Sequence, residues 1–551
     1  RFGPSRSPSC RMKIHRPVRN SLPLLAIAAL ICLPFVRLQA QERRQRAETA
    51  ETPAKPSDAA NKKDDAKKEE PKGDKKEPKD ELSVTTNTVT INGVEIGYKA
   101  TTGTIVMKDE EGKPHSTVFF VAYTRQGVSA TNLAARPVTF SFNGGPGSSS
   151  VWLHLGLLGP RRVFLKDDGG LPPPPFKLVN NEYSLLDETD LVFIDPVSTG
   201  FSRPAAGEDP KKFHGVEEDL ESVGDFIRLY TTRYNRWSSP KFLIGESYGT
   251  TRAAGLSGHL EERYGMYLNG IALVSAVLDF STISFNVGND LPYALFLPTE
   301  TATAWYHKKL PVDLQPDLKK ALAESEQFAM GDYTKALMQG AALPAAERQA
   351  TVKTLARLTG LSEDFVDRAD LRITAQQFFK ELLLNERLTI GRYDTRRTGQ
   401  DRNSTGSSPE YDPSYTAVLG PFTGAMNDYV RQDLKFESDL PYEILTGKVA
   451  PWDYGTARNR YLDVAETLRE TMTHNPYLKV FVANGYYDMA TPYLATRYTF
   501  DHIGLPADLR TNVSMGYYDA GHMMYVNKPS LIQLKKDLAN FVHSALPPKG
   551  E

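Results

Sequence analysis

Lys241-Phe-Leu-Ile-Gly245-Glu246-Ser247-Tyr248-Gly249-Thr250 joins a short apolar run to a helical pattern that continues to residue 264, and it sets G-x-S-x-G on the join. A strand that passes straight into a helix needs a very tight bend. Glycines on both sides of the serine remove side chains that would collide there, and the bend lifts the hydroxyl clear of the sheet as a nucleophile elbow. The pattern alone is weak, since a chain this long with average composition would carry it by chance roughly one time in six. The strand before it and the helix after it carry the inference, and Ser247 is the expected nucleophile.

Working outward, further short apolar runs lie at residues 138–142, 191–194, 271–274 and 480–483, suited to strands buried on both faces of a sheet. Helical patterns at 216–230 and 250–264 separate several of them, which points to βαβ units, a largely parallel sheet and the α/β-hydrolase fold. Ahead of these runs, Val89, Ile91, Val94, Ile96 and Tyr98 flank an Asn92-Gly93 turn, and Val118 to Val121 follow a Glu111-Gly112 turn; both are hairpin signals. The rhythm breaks between 285 and 477. There 316–330 and 345–358 read as helices, and Thr374 caps a segment whose Ala375, Phe378, Phe379, Leu382 and Leu383 form one apolar face. The expected organisation is a core over 83–284 and 478–548, with a helical cap inserted at 285–477. No internal repeat is visible.

The N-terminal 82 residues are of another kind. Met12 is the expected initiator; Lys13, Arg16 and Arg19 precede an apolar stretch at 22–36, and Leu38-Gln39-Ala40 offers a small residue for cleavage, so 1–40 reads as upstream residues and a signal peptide. The apolar stretch is shorter than the roughly 20 residues that span a bilayer, which argues against an uncleaved anchor. Residues 41–82 are Lys, Glu, Asp, Ala and Pro without an aromatic, a composition that cannot offset its ordering entropy, and they read as a disordered tether. The expected location is secreted or periplasmic, with no membrane partner after cleavage. Lys plus Arg total 66 against 67 for Asp plus Glu, which gives no field to attract nucleic acid. The two cysteines, Cys10 and Cys32, both precede the mature region, so no disulfide framework and no Cys-based zinc site is expected there.

A serine nucleophile needs a base, and in this fold the acid and the histidine follow it in the chain. His522 stands in Asp519-Ala-Gly-His-Met523 after an expected strand at 513–517, whereas His259, His307, His474, His502 and His543 lie in helical or amphipathic patterns. Asp488 follows the 480–483 strand in Asn484-Gly-Tyr-Tyr-Asp488, the strand-end position that an orienting carboxylate requires; Asp519, three residues before His522, is the competitor. The loop Ser141-Phe-Asn143-Gly144-Gly145-Pro146-Gly147-Ser148-Ser-Ser150 lacks the Lys of a P-loop and the spacing of a dinucleotide fingerprint. It reads instead as an oxyanion loop. Pro146 has no N–H, so the glycines beside it must donate, with the N–H of Tyr248 as the second donor.

These segments, with Ile194-Asp-Pro-Val-Ser-Thr-Gly-Phe-Ser202, occur together in an order that resembles the serine carboxypeptidase family over roughly residues 83–546. The resemblance implies a secreted, bacterial-type member with a Ser247, Asp488 and His522 triad, an oxyanion hole from Gly145 and Tyr248, and a cap over the site. It also implies that Asn143, Gly144 and Glu246 hold a substrate's C-terminal carboxylate. The family pairs that glutamate with a second one just before a Leu-Gly-Pro, but here Leu157 precedes Leu158-Gly159-Pro160. Ser148 stands where many members carry a cysteine. With one glutamate missing, the expectation is a relaxed demand for a free carboxyl terminus, unless Arg161 or Arg162 supplies the attraction.

The function expected is therefore serine-type carboxypeptidase action on peptides, without metal or organic cofactor. An esterase, amidase or acyltransferase on the same residues is the nearest alternative, and a catalytically inactive binding protein the alternative from another class. The composition of 41–82 predicts that a chain begun near Ser83 folds and keeps its activity. Expression of both lengths checks this: insoluble or inactive short protein beside a working long one would contradict it.

Overall fold

In the computed structural model residues 78–547 are described, so the expected signal, both cysteines and most of the expected tether lie outside them. The chain enters through β1 (Glu81–Ile91), which turns at Asn92-Gly93 into β2 (Val94–Lys108), and a second turn leads to β3 (Pro114–Arg125). β1 starts two residues ahead of Ser83, and Asp80 before it accepts from the Val106 N–H and pairs with Arg233. The three strands are antiparallel neighbours. Then come β4 (Val138–Phe142), β5 (Asp190–Ile194), β6 (Lys241–Ser247), β7 (Gly270–Ala276), β8 (Lys479–Gly485) and β9 (Val513–Tyr518). The sheet order is β1-β2-β3-β5-β4-β6-β7-β8-β9, with the two-residue strand Arg203–Pro204 pairing with β3 off that path. All neighbours from β5 to β9 run parallel, and β3 meets β5 antiparallel.

Alternation along the strands divides their side chains between two cores. Leu191, Phe193, Phe242 and Ile244 pack on one face, while Val192, Ile194 and Leu243 pack on the other. Helices α1 (Val216–Arg233) and α2 (Tyr248–Tyr264) cover the second face through Phe226, Ile227, Ala253 and Leu256. The sheet, its two-sided helical cover and the strand-to-helix turn at Ser247 make this an α/β-hydrolase fold.

Between β7 and β8 the chain builds a third core. α3 (Leu291–Tyr306), α4 (Leu318–Phe328), α5 (Ala345–Thr359) and α6 (Ala375–Glu381) bury Leu295, Leu322, Leu355, Phe378 and Phe379 against one another. Thr374 forms a capping box with Gln377 at the start of α6. The second half of the inserted stretch behaves differently from a single helical cap. α7 (Pro413–Gln432) adds Val418, Phe422 and Met426 to the first face's core, and α8 (Ala465–His474) adds Leu468 and Met472 to the second. Their apolar stripes find the sheet's two faces a larger partner than the small third core. Between them, residues 433–464 run largely without regular structure back past the glycine-rich loop, where Ile444 accepts from the Ser149 N–H and the Thr446 N–H donates to Gly147. After β8 come α9 (Tyr493–His502) and, after β9, α10 (Lys528–Ser544).

Candidate active site

The G-x-S-x-G bend owes its sequence to backbone crowding. Ser247 sits at φ 59°, ψ −129° between β6 and α2, a region a non-glycine residue occupies only under constraint. A Cβ on Gly245 would stand 2.0 Å from the Gly249 carbonyl oxygen, and one on Gly249 would stand 2.8 Å from that of Phe142. Gly144 is pressed harder still. Its Cβ would fall 2.4 Å from the Tyr248 nitrogen and 2.7 Å from that of Gly249, so the glycine-rich loop lies directly on the elbow.

That contact gathers donors. Tyr248 opens the first turn of α2, where a backbone N–H has no intrahelical acceptor and the helix dipole favours negative charge. The N–H of Gly145 makes no hydrogen bond among the described residues. The loop is held from below by Arg252 of α2, whose Nη1 donates to the Asn143 carbonyl at 2.5 Å while the guanidinium makes two bonds to Asp219 of α1 at 2.7 and 3.1 Å. Both charged side chains are buried. Asp195, at the C-terminal end of β5, accepts from the N–H and hydroxyl of Ser150, each at 2.8 Å, and so ties down the loop's far end. Gly200 passes so close that a Cβ would meet the Asp195 carboxylate at 1.7 Å, which accounts for the glycine of the 194–202 motif. The Ser148 hydroxyl, in the family's cysteine position, accepts from the Trp152 indole at 2.9 Å.

His522 and Asp488 come from the loops that follow β9 and β8. His522 Nδ1 and Asp488 Oδ2 lie 2.8 Å apart and both side chains are buried. An ionised carboxylate only accepts, so Nδ1 carries the hydrogen and Nε2 is left as the acceptor. The carboxylate is fixed by the N–H groups of Ala490 and Thr491 and by the Thr491 hydroxyl. Burial opposes the imidazolium, but the charge and hydrogen bond of Asp488, with Glu246 adding, outweigh it and raise the His522 pKa. Asp519 is exposed and does not bond the ring. The other candidate histidines are engaged elsewhere: His307 with the Thr395 carbonyl, His474 with Glu261, His502 with the Tyr498 carbonyl and His543 with Glu188, while His259 packs beside Tyr264. Ser247 and His522 line one pocket with Asn143, Gly144, Gly145 and Glu246. Ser247 Oγ makes no hydrogen bond to His522 among the described residues; such contacts often tighten only when substrate is bound.

Glu246 and Asn143 are 3% and 2% exposed. The Asn143 carboxamide is oriented by the Leu153 N–H, which donates to its Oδ1, and its Nδ2 donates to Glu246 Oε2 at 2.8 Å. Burial pushes the Glu246 carboxyl up to about 7. Leu157 is sealed in the first core. Arg161 bonds Asn180 and Arg162 pairs with Glu182, and neither lines the pocket. Among the described residues no group of three or more His, Cys, Asp or Glu side chains is placed to hold a metal.

Two features around the pocket were not read from the sequence. A strap at residues 391–397, from the insertion, crosses both loops: the His522 N–H donates to the Tyr393 carbonyl at 2.6 Å, the Met489 N–H to that of Arg392, and the Tyr393 ring stacks on the imidazole with centroids 5.1 Å apart. Arg392 itself is exposed at the pocket's edge with no ion-pair partner among the described residues. The other is Tyr525, whose hydroxyl donates to Glu246 Oε2 at 2.6 Å. Nothing marks the strap in the sequence; Tyr525 lies three residues after His522 and could have been considered on that ground.

A model of the serine carboxypeptidase family matches residues 95–528. The chain belongs to that family. Among curated relatives, the pheromone-processing carboxypeptidase KEX1 of Saccharomyces cerevisiae is 35% identical over 150 residues, 25% of this chain and 19% of the yeast protein. Serine carboxypeptidase-like 45 of Arabidopsis thaliana is 24% identical over 195 residues, 34% of this chain and 38% of the plant protein. The matched stretches thus span about a fifth and under two fifths of these relatives. The crystal structure of yeast KEX1ΔP, a prohormone-processing carboxypeptidase, superposes with a TM-score of 0.49 at 18% identity, covering 81% of this chain and 91% of that one.

The Asp219–Arg252 pair carries a stability prediction. Removing one partner strands a buried charge, and Asp219→Ala is expected to cost about 3–5 kcal/mol. Urea denaturation checks it, and a loss under about 1 kcal/mol would contradict the role assigned to this pair.

Proposed function

We propose that the chain is a serine-type carboxypeptidase that releases C-terminal residues from peptides through an acyl-enzyme on Ser247. The observation that carries the reading is the buried 2.8 Å His522–Asp488 pair in one pocket with Ser247, the glycine-rich loop and the buried Asn143–Glu246 pair. Ser247 Oγ adds to the scissile carbonyl as its proton passes to His522 Nε2, and the N–H groups of Gly145 and Tyr248 receive the developing oxyanion. His522 returns the proton to the leaving amine, the terminal residue departs, and water reverses the sequence to free the acyl group. Asp488 holds the tautomer and stabilises the imidazolium. Asn143, Gly144 and Glu246 receive the substrate's terminal carboxylate, and the inserted residues beginning with α3 serve as the cap.

Export fits the same reading: residues 12–40 have the pattern of a bacterial-type signal, and among the described residues no helix is long and apolar enough to cross a membrane. The peptide substrate is then met outside the cytoplasm. Leu157, in place of a second carboxyl, is the observation that favours esterase or amidase action as the other reading.

Ser247→Ala and His522→Ala are each expected to lower kcat by about 10⁴–10⁶-fold, with the double variant scarcely worse, and Asp488→Ala by about ten- to a hundredfold less. Steady-state rates with fluorophosphonate labelling check this; near-normal turnover in His522→Ala, or Asp519→Ala proving worse than Asp488→Ala, would contradict it. The base must be neutral to act, and its pKa is raised from 6.5. The rate toward an ester substrate is therefore expected to fall on acidification through a midpoint above 6.5, as a pH profile of kcat/KM will test. A midpoint well below 6 would show that another group governs the rate.

A further inference from the structure

Glu246 has one oxygen committed and one open. Oε2 accepts from both Asn143 Nδ2 at 2.8 Å and the Tyr525 hydroxyl at 2.6 Å, while Oε1 takes no hydrogen bond among the described residues and the side chain lines the pocket. Two donors on Oε2 make it the acceptor oxygen. When the carboxyl is protonated, its hydrogen is left to Oε1, where it can meet an incoming carboxylate. Asn143 Nδ2 spends one of its two N–H groups on Glu246 and keeps the other.

The place of Tyr525 is built into the backbone opposite. A Cβ at Gly156 would stand 2.4 and 2.6 Å from two carbons of the Tyr525 ring, so the ring occupies space that only glycine leaves open. Gly156 immediately precedes Leu157, the position where the acidic partner of Glu246 is missing. Burial raises the Tyr525 phenol well above its ordinary value, and Glu246 adds to the shift, so the phenol stays a donor wherever the protein is folded near neutral pH.

We propose that Tyr525, seated over Gly156, is the positioning residue that replaces the missing second glutamate, holding Glu246 so that Oε1 alone presents the proton to a substrate's free carboxyl terminus. The inference rests on the carboxypeptidase reading. It revises the expectation drawn from Leu157 alone, because the clamp keeps a donor, and its loss with pH follows one carboxyl rather than a pair. The groups around Glu246 are His522, whose positive form lowers the Glu246 pKa, Asp488, which raises it, and the phenols of Tyr525 and Tyr393. Arg392 lines the same pocket and opposes the charged form of His522. The Tyr525 hydrogen bond favours the ionised carboxyl, so deleting it moves the Glu246 ionisation to higher pH.

The test is kcat/KM for one peptide as free acid and as C-terminal amide, from pH 5 to 8, in the full chain and in Tyr525→Phe and Glu246→Gln. In the unaltered protein the free acid is preferred in acid and the preference fades through about pH 7. Tyr525→Phe is expected to raise that midpoint by about one unit and to raise KM several-fold more for the free acid than for the amide. Glu246→Gln should abolish the pH dependence of the preference. A free-acid preference whose size and midpoint are unchanged in Tyr525→Phe overturns the role of Tyr525 while leaving the carboxypeptidase reading intact. Equal cleavage of acid and amide at every pH by the unaltered protein overturns both. If Tyr525→Phe does not fold, Gly156→Ala, which displaces the same ring, is measured instead: loss of the free-acid preference supports the role, and an unchanged preference overturns it.

Discussion

The site depends on three backbone segments meeting where no Cβ fits. Gly144 of the glycine-rich loop lies against the first two amides of α2, Gly245 against the carbonyl of Gly249, and Gly249 against that of Phe142. Crossing at such distances leaves Ser247 in a strained conformation, points its side chain into the pocket, and sets the Gly145 and Tyr248 amides on the same crossing. The strain is over-determined by what surrounds it: parallel strands β4, β6 and β7 below, and the buried Arg252–Asp219 pair that grips the loop's Asn143 carbonyl. A side chain at Gly144 or Gly249 would separate the loop from the elbow, and one at Gly245 would open the elbow itself.

The second half of the site is assembled at longer range. β8 and β9 run parallel, so the loops at their ends emerge side by side, bringing Asp488 to His522. A Cβ on Gly485 would meet the Gly521 carbonyl oxygen at 2.4 Å, and one on Gly521 would meet that of Tyr393 at 2.2 Å. The two loops and the strap are therefore layered backbone on backbone. Arg396 reinforces the layering: it pairs with Asp394, donates to the Asp519 carbonyl and lies over the Tyr487 ring. His522 in this layer and Glu246 on β6 are both buried beside the same pocket, and their ionisations are linked, since each favours the charged form of the other.

What could be read in the sequence divides along the same line. The elbow, the glycine-rich loop and the strands were legible because crowding demands glycine at fixed places and double-sided burial demands apolar runs. Asp488 was preferred to Asp519 from its place at a strand end, and the structure sets that carboxylate on the imidazole. The strap of Tyr393 and the role of the Tyr525 hydroxyl were not read, because their contacts join residues 129 and 279 apart, His522 to Tyr393 and Tyr525 to Glu246; nothing local marks the strap, and only nearness to His522 marks Tyr525. The whole of 285–477 was expected to be cap because the alternation of strands and helices breaks there, yet α7 and α8 join the sheet's two cores, and a break in rhythm does not say which core an apolar stripe will join.

The central claim is that Ser247 attacks the last peptide bond of a chain that ends in a free carboxylate. It is tested most directly by mass spectrometry of a peptide-library digest, with rapid acid quenching to catch any covalent adduct. The account predicts products shortened from the C-terminus only and a transient acyl group on Ser247, neither of which forms with Ser247→Ala. Internal cleavage products, or ester hydrolysis with peptides left intact, would contradict it.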